Sequence, residues 1–339
     1  MEKYSLKKEN LKELLKTWTG FELFAPVRRA EVTAFEPISD PESAAIDLEH
    51  QPLPAKKLML PQTETLFSFD KKGTPKEPDL RGTQKKRLVF GVRPCDARAF
   101  GIIDAVFDEK DCPDPYYAAK RKNTILAGLV CSKPFANCFC TSLGGSPSSS
   151  DGLDLLFCDC GGSYVVEVLT EAGAEAAKVA EPLFAAASQE EVAERERIAA
   201  EAVKRVRRSS RIEGLPQKLE SLFESPVWAE MAQRCLSCGV CTFTCPTCYC
   251  FDIQDEKIKG KGKRIRVWDS CMFGEYTLHA SGHNPRPTRA ERLRNRMYHK
   301  FKYQLERHGI AGCVGCGRCI TLCPAGEDLV ENLRRVESL

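Results

Sequence analysis

The chain has no apolar run as long as the roughly 18 residues a membrane-spanning helix needs. Its first residues, MEKYSLKKENLKELLKTW, are charged and helical in pattern, without the apolar core of a signal peptide. No membrane insertion is expected, and a cytoplasmic setting is. No G-x-G-x-x-G follows a predicted strand, and Gly260-Lys-Gly-Lys-Arg264 lacks the spacing of a Walker loop. A nucleophile elbow, an H-E-x-x-H pair and a paired-carboxylate arrangement are all missing. Histidine is scarce, with five residues, and His279, His283, His299 and His308 read as helical surface or core hydrogen-bonding groups. There is no helix-turn-helix and no basic face, so no nucleic-acid partner is expected. The chain therefore lacks the parts of a nucleotide-binding or hydrolytic site.

What it has is cysteine, 18 in 339 residues. In a reducing compartment these serve as thiolates for metal rather than as disulfides. Cys235, Cys238, Cys241 and Cys245 precede Pro246, and Cys313, Cys316, Cys319 and Cys323 precede Pro324. Both runs spell C-x2-C-x2-C-x3-C-P, the spacing by which bacterial ferredoxins hold [4Fe–4S] clusters. Zinc sites usually pair C-x2-C units and do not need four cysteines so close together. Two cubane clusters and an electron-transfer role follow. The fourth cysteine of each run either serves its own cluster or is exchanged, with Cys245 on the second and Cys323 on the first; the spacing leaves both open. The formal charge of +3 overstates the positive balance, because each cluster with four thiolates carries about −2.

The pattern along the chain predicts α+β: an N-terminal mixed α/β domain joined to a C-terminal α-helical dicluster ferredoxin-type domain. Residues 5–18 read as an amphipathic helix. Leu58-Met-Leu-Pro61, Thr65–Phe69, Arg87–Arg93 and Thr124–Val130 read as strands, with helical spacing over Ala99–Phe107 between the last two. Asp154–Cys158 and Tyr164–Leu169 read as a hairpin around Gly161-Gly162. Ser188-Gln-Glu-Glu191 fits a capping box, and Ser225-Pro226 opens a helix that delivers Cys235. The expected partition is 1–170 for the mixed domain, 171–224 for a helical connector and 225–339 for the ferredoxin domain. The basic stretch Lys257–Arg266 reads as a solvated loop or as a contact for an acidic partner or a cofactor phosphate.

Ten cysteines remain. Cys95 and Cys131 each follow a predicted strand, at the end where open α/β sheets place their chemistry. Cys138-Phe-Cys140 lies just downstream. These four are candidates for a third [4Fe–4S] cluster, against the reading of buried packing thiols. Cys248, Cys250 and Cys271 read as structural neighbours of the first run. Cys112, Cys158 and Cys160 have no convincing partners. Two further readings compete with the electron relay: a redox subunit with its own small-substrate site near Cys131–Cys140, and a redox-sensing regulator.

Several segments resemble one family: Arg93-Pro-Cys-Asp-Ala-Arg-Ala99, Cys131-Ser-Lys-Pro-Phe-Ala-Asn-Cys-Phe-Cys140, Gly152-Leu-Asp154, Trp268-Asp-Ser-Cys271 and Gly282-His-Asn-Pro-Arg-Pro287. The chain is similar to the iron–sulfur beta subunits of sulfhydrogenases and to the corresponding iron–sulfur component of anaerobic sulfite reductase, relatives of which accompany heterodisulfide reductases. The resemblance runs from about Phe24 to the C-terminus. It implies one component of a multi-subunit oxidoreductase in anaerobic metabolism. A flavin subunit oxidising NAD(P)H would supply electrons. A catalytic subunit of hydrogenase, sulfite reductase or heterodisulfide reductase type would use them. The present chain would be non-catalytic.

Overall fold

The computed structural model describes all residues except 1, 31, 47–50, 77–79, 81–84 and 259. Buried β-branched and aromatic runs build its central sheet. The strands are β1 (Lys3–Lys7), β2 (Glu22–Arg29), β3 (Val32–Pro37), β5 (Arg87–Val92), β6 (Thr124–Leu129), β7 (Leu155–Asp159), β8 (Ser163–Val168) and β9 (Phe184–Ala186); β4 (Thr63–Phe69) lies elsewhere. The order is β3-β2-β5-β6-β7-β8-β1-β9. Strands β2, β5, β6 and β7 run parallel, and the remaining neighbours are antiparallel. Every residue of β5 and β6 is buried, as central parallel strands covered on both faces require.

One face is covered by α1 (Leu11–Thr17) and α4 (Glu171–Val179), through Leu14, Leu15, Trp18, Ala176 and Ala177. The other is covered by α2 (Pro94–Phe107) and α3 (Pro115–Lys122), through Ala97, Phe100, Ile103 and Tyr117. The chain opens as a strand over Lys3–Lys7 before its helix, because its residues pair with β8 and β9. Leu58 ends a short 3-10 turn rather than lying in a strand. The segment expected to connect the halves contributes both α4 and β9 to the sheet unit; its α5 (Gln189–Arg205) does begin on the Ser188 capping box.

The C-terminal half packs the helices Leu215–Ser221, Val227–Met231, Arg289–Tyr298 and Leu329–Ser338 around Trp228, Met297, Phe301 and Leu333. The basic stretch is no loop. It belongs to a hairpin, β10 (Phe251–Ile258) and β11 (Lys261–Trp268), and β11 pairs with β4. The halves interlock at a second point, where Phe139, 1% exposed, sits in the C-terminal core. Among the described residues no helix is long and apolar enough to cross a membrane.

Candidate functional site

The first cysteine run wraps one cavity. Cys235, Cys238 and Cys241 line it together with Cys323 from the second run, Met272 and Leu293. Ser237 takes a left-handed φ of 55° and Gly239 one of 75°, so the loop turns tightly enough to bring its thiols to one side. The amide of Ser237 donates to Cys235 Sγ (3.4 Å), and that of Glu327 to Cys323 Sγ (3.2 Å). Leu236 and Cys238 are exposed at the rim.

Cys245 lies near the second run. Burial raises the thiols of Cys313, Cys316 and Cys319, and the charge of nearby Cys245 adds to the effect on each. Cys245 is itself held well below the ordinary thiol range, first by a hydrogen bond from Cys248 and then by Lys300, Arg296 and Lys56. The Lys300 ammonium donates to Cys245 Sγ (3.3 Å), Thr247 Oγ1 (2.9 Å) and the Gly312 carbonyl (2.6 Å). Cys323 thus stands with the first run, and Cys245 stands near the second while still within reach of Cys241.

The sheet assembles a third group. Cys95 stands in the first turn of α2, directly after β5, and Cys131 follows β6. The 137–140 loop brings Cys138 and Cys140 to them. Burial pushes the Cys138 thiol up to about 12 and that of Cys140 to about 11, and both feel Cys131. Cys138 also influences Cys95 and donates to the Cys316 carbonyl (3.6 Å), which sets this group against the second. A Cβ on Gly315 would fall 2.6 Å from the Cys140 backbone, and one on Gly317 2.5 Å from the Asn137 carbonyl oxygen. The two loops thus lie backbone to backbone.

The electrostatics match anionic centres. Lys56, Arg296 and Lys300 are each less than 5% exposed. Among the described residues their contacts are carbonyls, hydroxyls, sulfur and a ring, with no carboxylate: Lys56 donates to the Thr242 and Cys248 carbonyls and stands over the Trp268 ring, and Arg296 Nη1 donates to Cys248 Sγ (3.5 Å). Among the described residues Arg296 Nη2 is buried without a partner. Buried cations of this kind need compensating negative charge, and a thiolate-bound cluster supplies it. Among the described residues no three His, Cys, Asp or Glu groups converge as on a single ion. A zinc ion would draw thiolates to about 2.3 Å from one point. The residues present fit [4Fe–4S] clusters.

The remaining thiols divide. Cys112 is exposed, and Cys160 donates to the Cys158 carbonyl (3.6 Å) on the sheet. Cys248, Cys250 and Cys271 gather near the second group. Sequence reading missed the buried cations. Their signal was the recurrence of Arg292, Arg296 and Lys300 every fourth residue, an arrangement that repels itself on a helix unless it faces an anion.

Residues 234–327 match the family model of the 4Fe-4S dicluster domain, so the chain carries [4Fe–4S] clusters. Over 317 residues the chain is 34% identical to the sulfhydrogenase 2 subunit beta of Pyrococcus furiosus, an alignment that covers 93% of this chain and 92% of the relative.

Proposed function

The chain belongs to the sulfhydrogenase beta-subunit family, and from that premise we propose how this iron–sulfur electron-transfer subunit is wired. Three [4Fe–4S] clusters are its cofactors. Cys235, Cys238, Cys241 and Cys323 hold the first. Cys313, Cys316, Cys319 and Cys245 hold the second. Cys95, Cys131, Cys138 and Cys140 hold the third. The observation that carries this reading is the gathering of twelve cysteines near one another, with Lys56, Arg296 and Lys300 buried among those of the two runs without carboxylate partners among the described residues.

When bound, a cubane supplies one-electron chemistry with little change of shape. The chain's residues do the rest. The amides of Ser237 and Glu327 and the Lys300 ammonium donate to ligand sulfurs, which favours the reduced state. Phe139, Val314 and Met272 are buried close by and exclude water. The second group adjoins the third through Cys138 and Cys316, and its Cys319 also borders the first cavity. The path therefore runs third, second, first, with exposed Cys238 at one end. In this reading the partners are a flavin subunit oxidising NAD(P)H and a catalytic oxidoreductase subunit, in the cytoplasm.

In the assembled complex, Cys316→Ser should stop flow between the partners while each keeps its own half-reaction. Unchanged physiological turnover would overturn the relay. Cys95→Ser should remove about four irons per chain; an unaltered iron content would reduce the third group to packing thiols and leave the other two clusters standing.

A further inference from the structure

Cys248, Cys250 and Cys271 belong to none of these three groups, yet they line one cavity together with Arg296, Lys300 and Gln304. Distant parts of the chain meet to build it. Pro246 turns the backbone away from the first run and delivers Cys248-Tyr-Cys250 to the start of β10. The hairpin then returns Cys271 just beyond the end of β11. The Asp269 amide donates to the Cys250 carbonyl (2.9 Å) and ties the two ends together. Cys250 and Cys271 are hydrogen-bond partners, and the Tyr276 hydroxyl joins them at Cys250. Cys248 is hydrogen-bonded to Cys245.

Unsatisfied donors point to a ligand. Lys56, Arg296 and Lys300 are buried here, with Arg296 shared with the first cavity. Among the described residues two buried donors that line the cavity, Arg296 Nη2 and Gln304 Nε2, have no partner. A Cys250–Cys271 disulfide would leave these donors unanswered. A single metal ion needs three groups converging on one point, and among the described residues none do so. A cubane on three thiolates carries about −1 and exposes sulfides as acceptors.

We propose that Cys248, Cys250 and Cys271 hold a further [4Fe–4S] cluster beside the second, one that leaves an iron for a non-cysteine ligand. It extends the relay reading by a site and does not depend on which partners flank the chain.

The test is iron, acid-labile sulfide and zinc per chain, with EPR of the reduced protein, on the anaerobically purified complex. Wild type should carry about sixteen irons rather than twelve. Cys271→Ser should lose about four, Cys316→Ser about four, and the double variant about eight. Cys250→Ala should repeat the Cys271→Ser loss, and circular dichroism checks that each variant is folded. Cys112→Ser, at an exposed thiol, is the control. The proposal is overturned if Cys271→Ser keeps the wild-type iron, if the double variant loses no more than Cys316→Ser, if one zinc leaves with Cys271, or if alkylation and mass spectrometry find a Cys250–Cys271 disulfide in iron-complete protein. The Cys316→Ser arm alone judges the second cluster, so the two readings fail separately.

Discussion

The two cysteine runs share a spacing, a backbone shape and a left-handed glycine after the second cysteine, Gly239 and Gly317, and differ in the other residues between the ligands. The second residue after the leading cysteine is left-handed in both, Ser237 at φ 55° and Gly315 at φ 65°. The first loop carries Leu236, 62% exposed, and an exposed Cys238. The second carries Val314, 2% exposed, and a buried Cys316. Where the first has Val240, the second has Arg318, whose guanidinium makes a two-pronged pair with Asp96 (2.6 and 2.8 Å). One loop faces outward; the other is a wedge between the sheet and the helices. Ligand spacing sets what is held, and the residues between ligands set what surrounds it.

The largest way to break this contrast is at Arg318. Both members of its pair are 1% exposed. Arg318→Met leaves the Asp96 carboxylate buried without its cation, at a cost of about 3–5 kcal/mol. Val240→Met in the outer loop should cost under about 1 kcal/mol. Anaerobic urea unfolding of the cluster-loaded protein measures both. Equal effects would mean that the second loop is no wedge.

Glycine sharpens the same contrast. Gly315→Ala forces a Cβ into the Phe139–Cys140 backbone 2.6 Å away, from a left-handed φ. Strain and overpacking together come to about 2–4 kcal/mol, and the third cluster's EPR signal should weaken with it. Ser237→Gly relieves a left-handed side chain and loses its 3.1 Å bond from Arg292, so stability should move by under about 1 kcal/mol. A mild Gly315→Ala variant with an intact third signal would show that the 137–140 loop can move away freely.

How much of this was legible follows from how local each feature is. The two runs were readable because each brings most of its ligands to one loop, and spacing alone carries that. The strands β5 and β6 were readable as unbroken apolar runs. The grouping of Cys95 with Cys131 rested on both following strands. What assembles the third group is non-local, the seating of Phe139 in the helical core and of Gly315 and Gly317 against its loop. The β10–β11 hairpin read as a loop because its charges mask its alternation; β10 is exposed throughout, and β11 is held by pairing with β4 from far back in the chain. The proposed exchange of Cys245 and Cys323 depends on how two helical segments pack, which spacing does not encode.

The smallest expected effect separates the loops electronically. Lys300 donates to Cys245 Sγ at 3.3 Å. Burial opposes its charge, but Cys245 and Cys248 outweigh burial and keep the ammonium protonated. A hydrogen bond and a positive charge at a ligand sulfur both favour the more negative, reduced cluster. A charge-assisted bond is worth about 1.5–3 kcal/mol, which for one electron is about 60–130 mV. Lys300→Met keeps the length of the side chain and removes both terms. In an EPR-monitored redox titration, one cluster's potential should fall by that amount and the first cluster's by much less, since Cys235 and Cys238 sit at the outer rim, screened by water. Equal shifts in both would mean that Lys300 acts through the fold as a whole, and no shift would make it a packing residue whose charge is answered elsewhere.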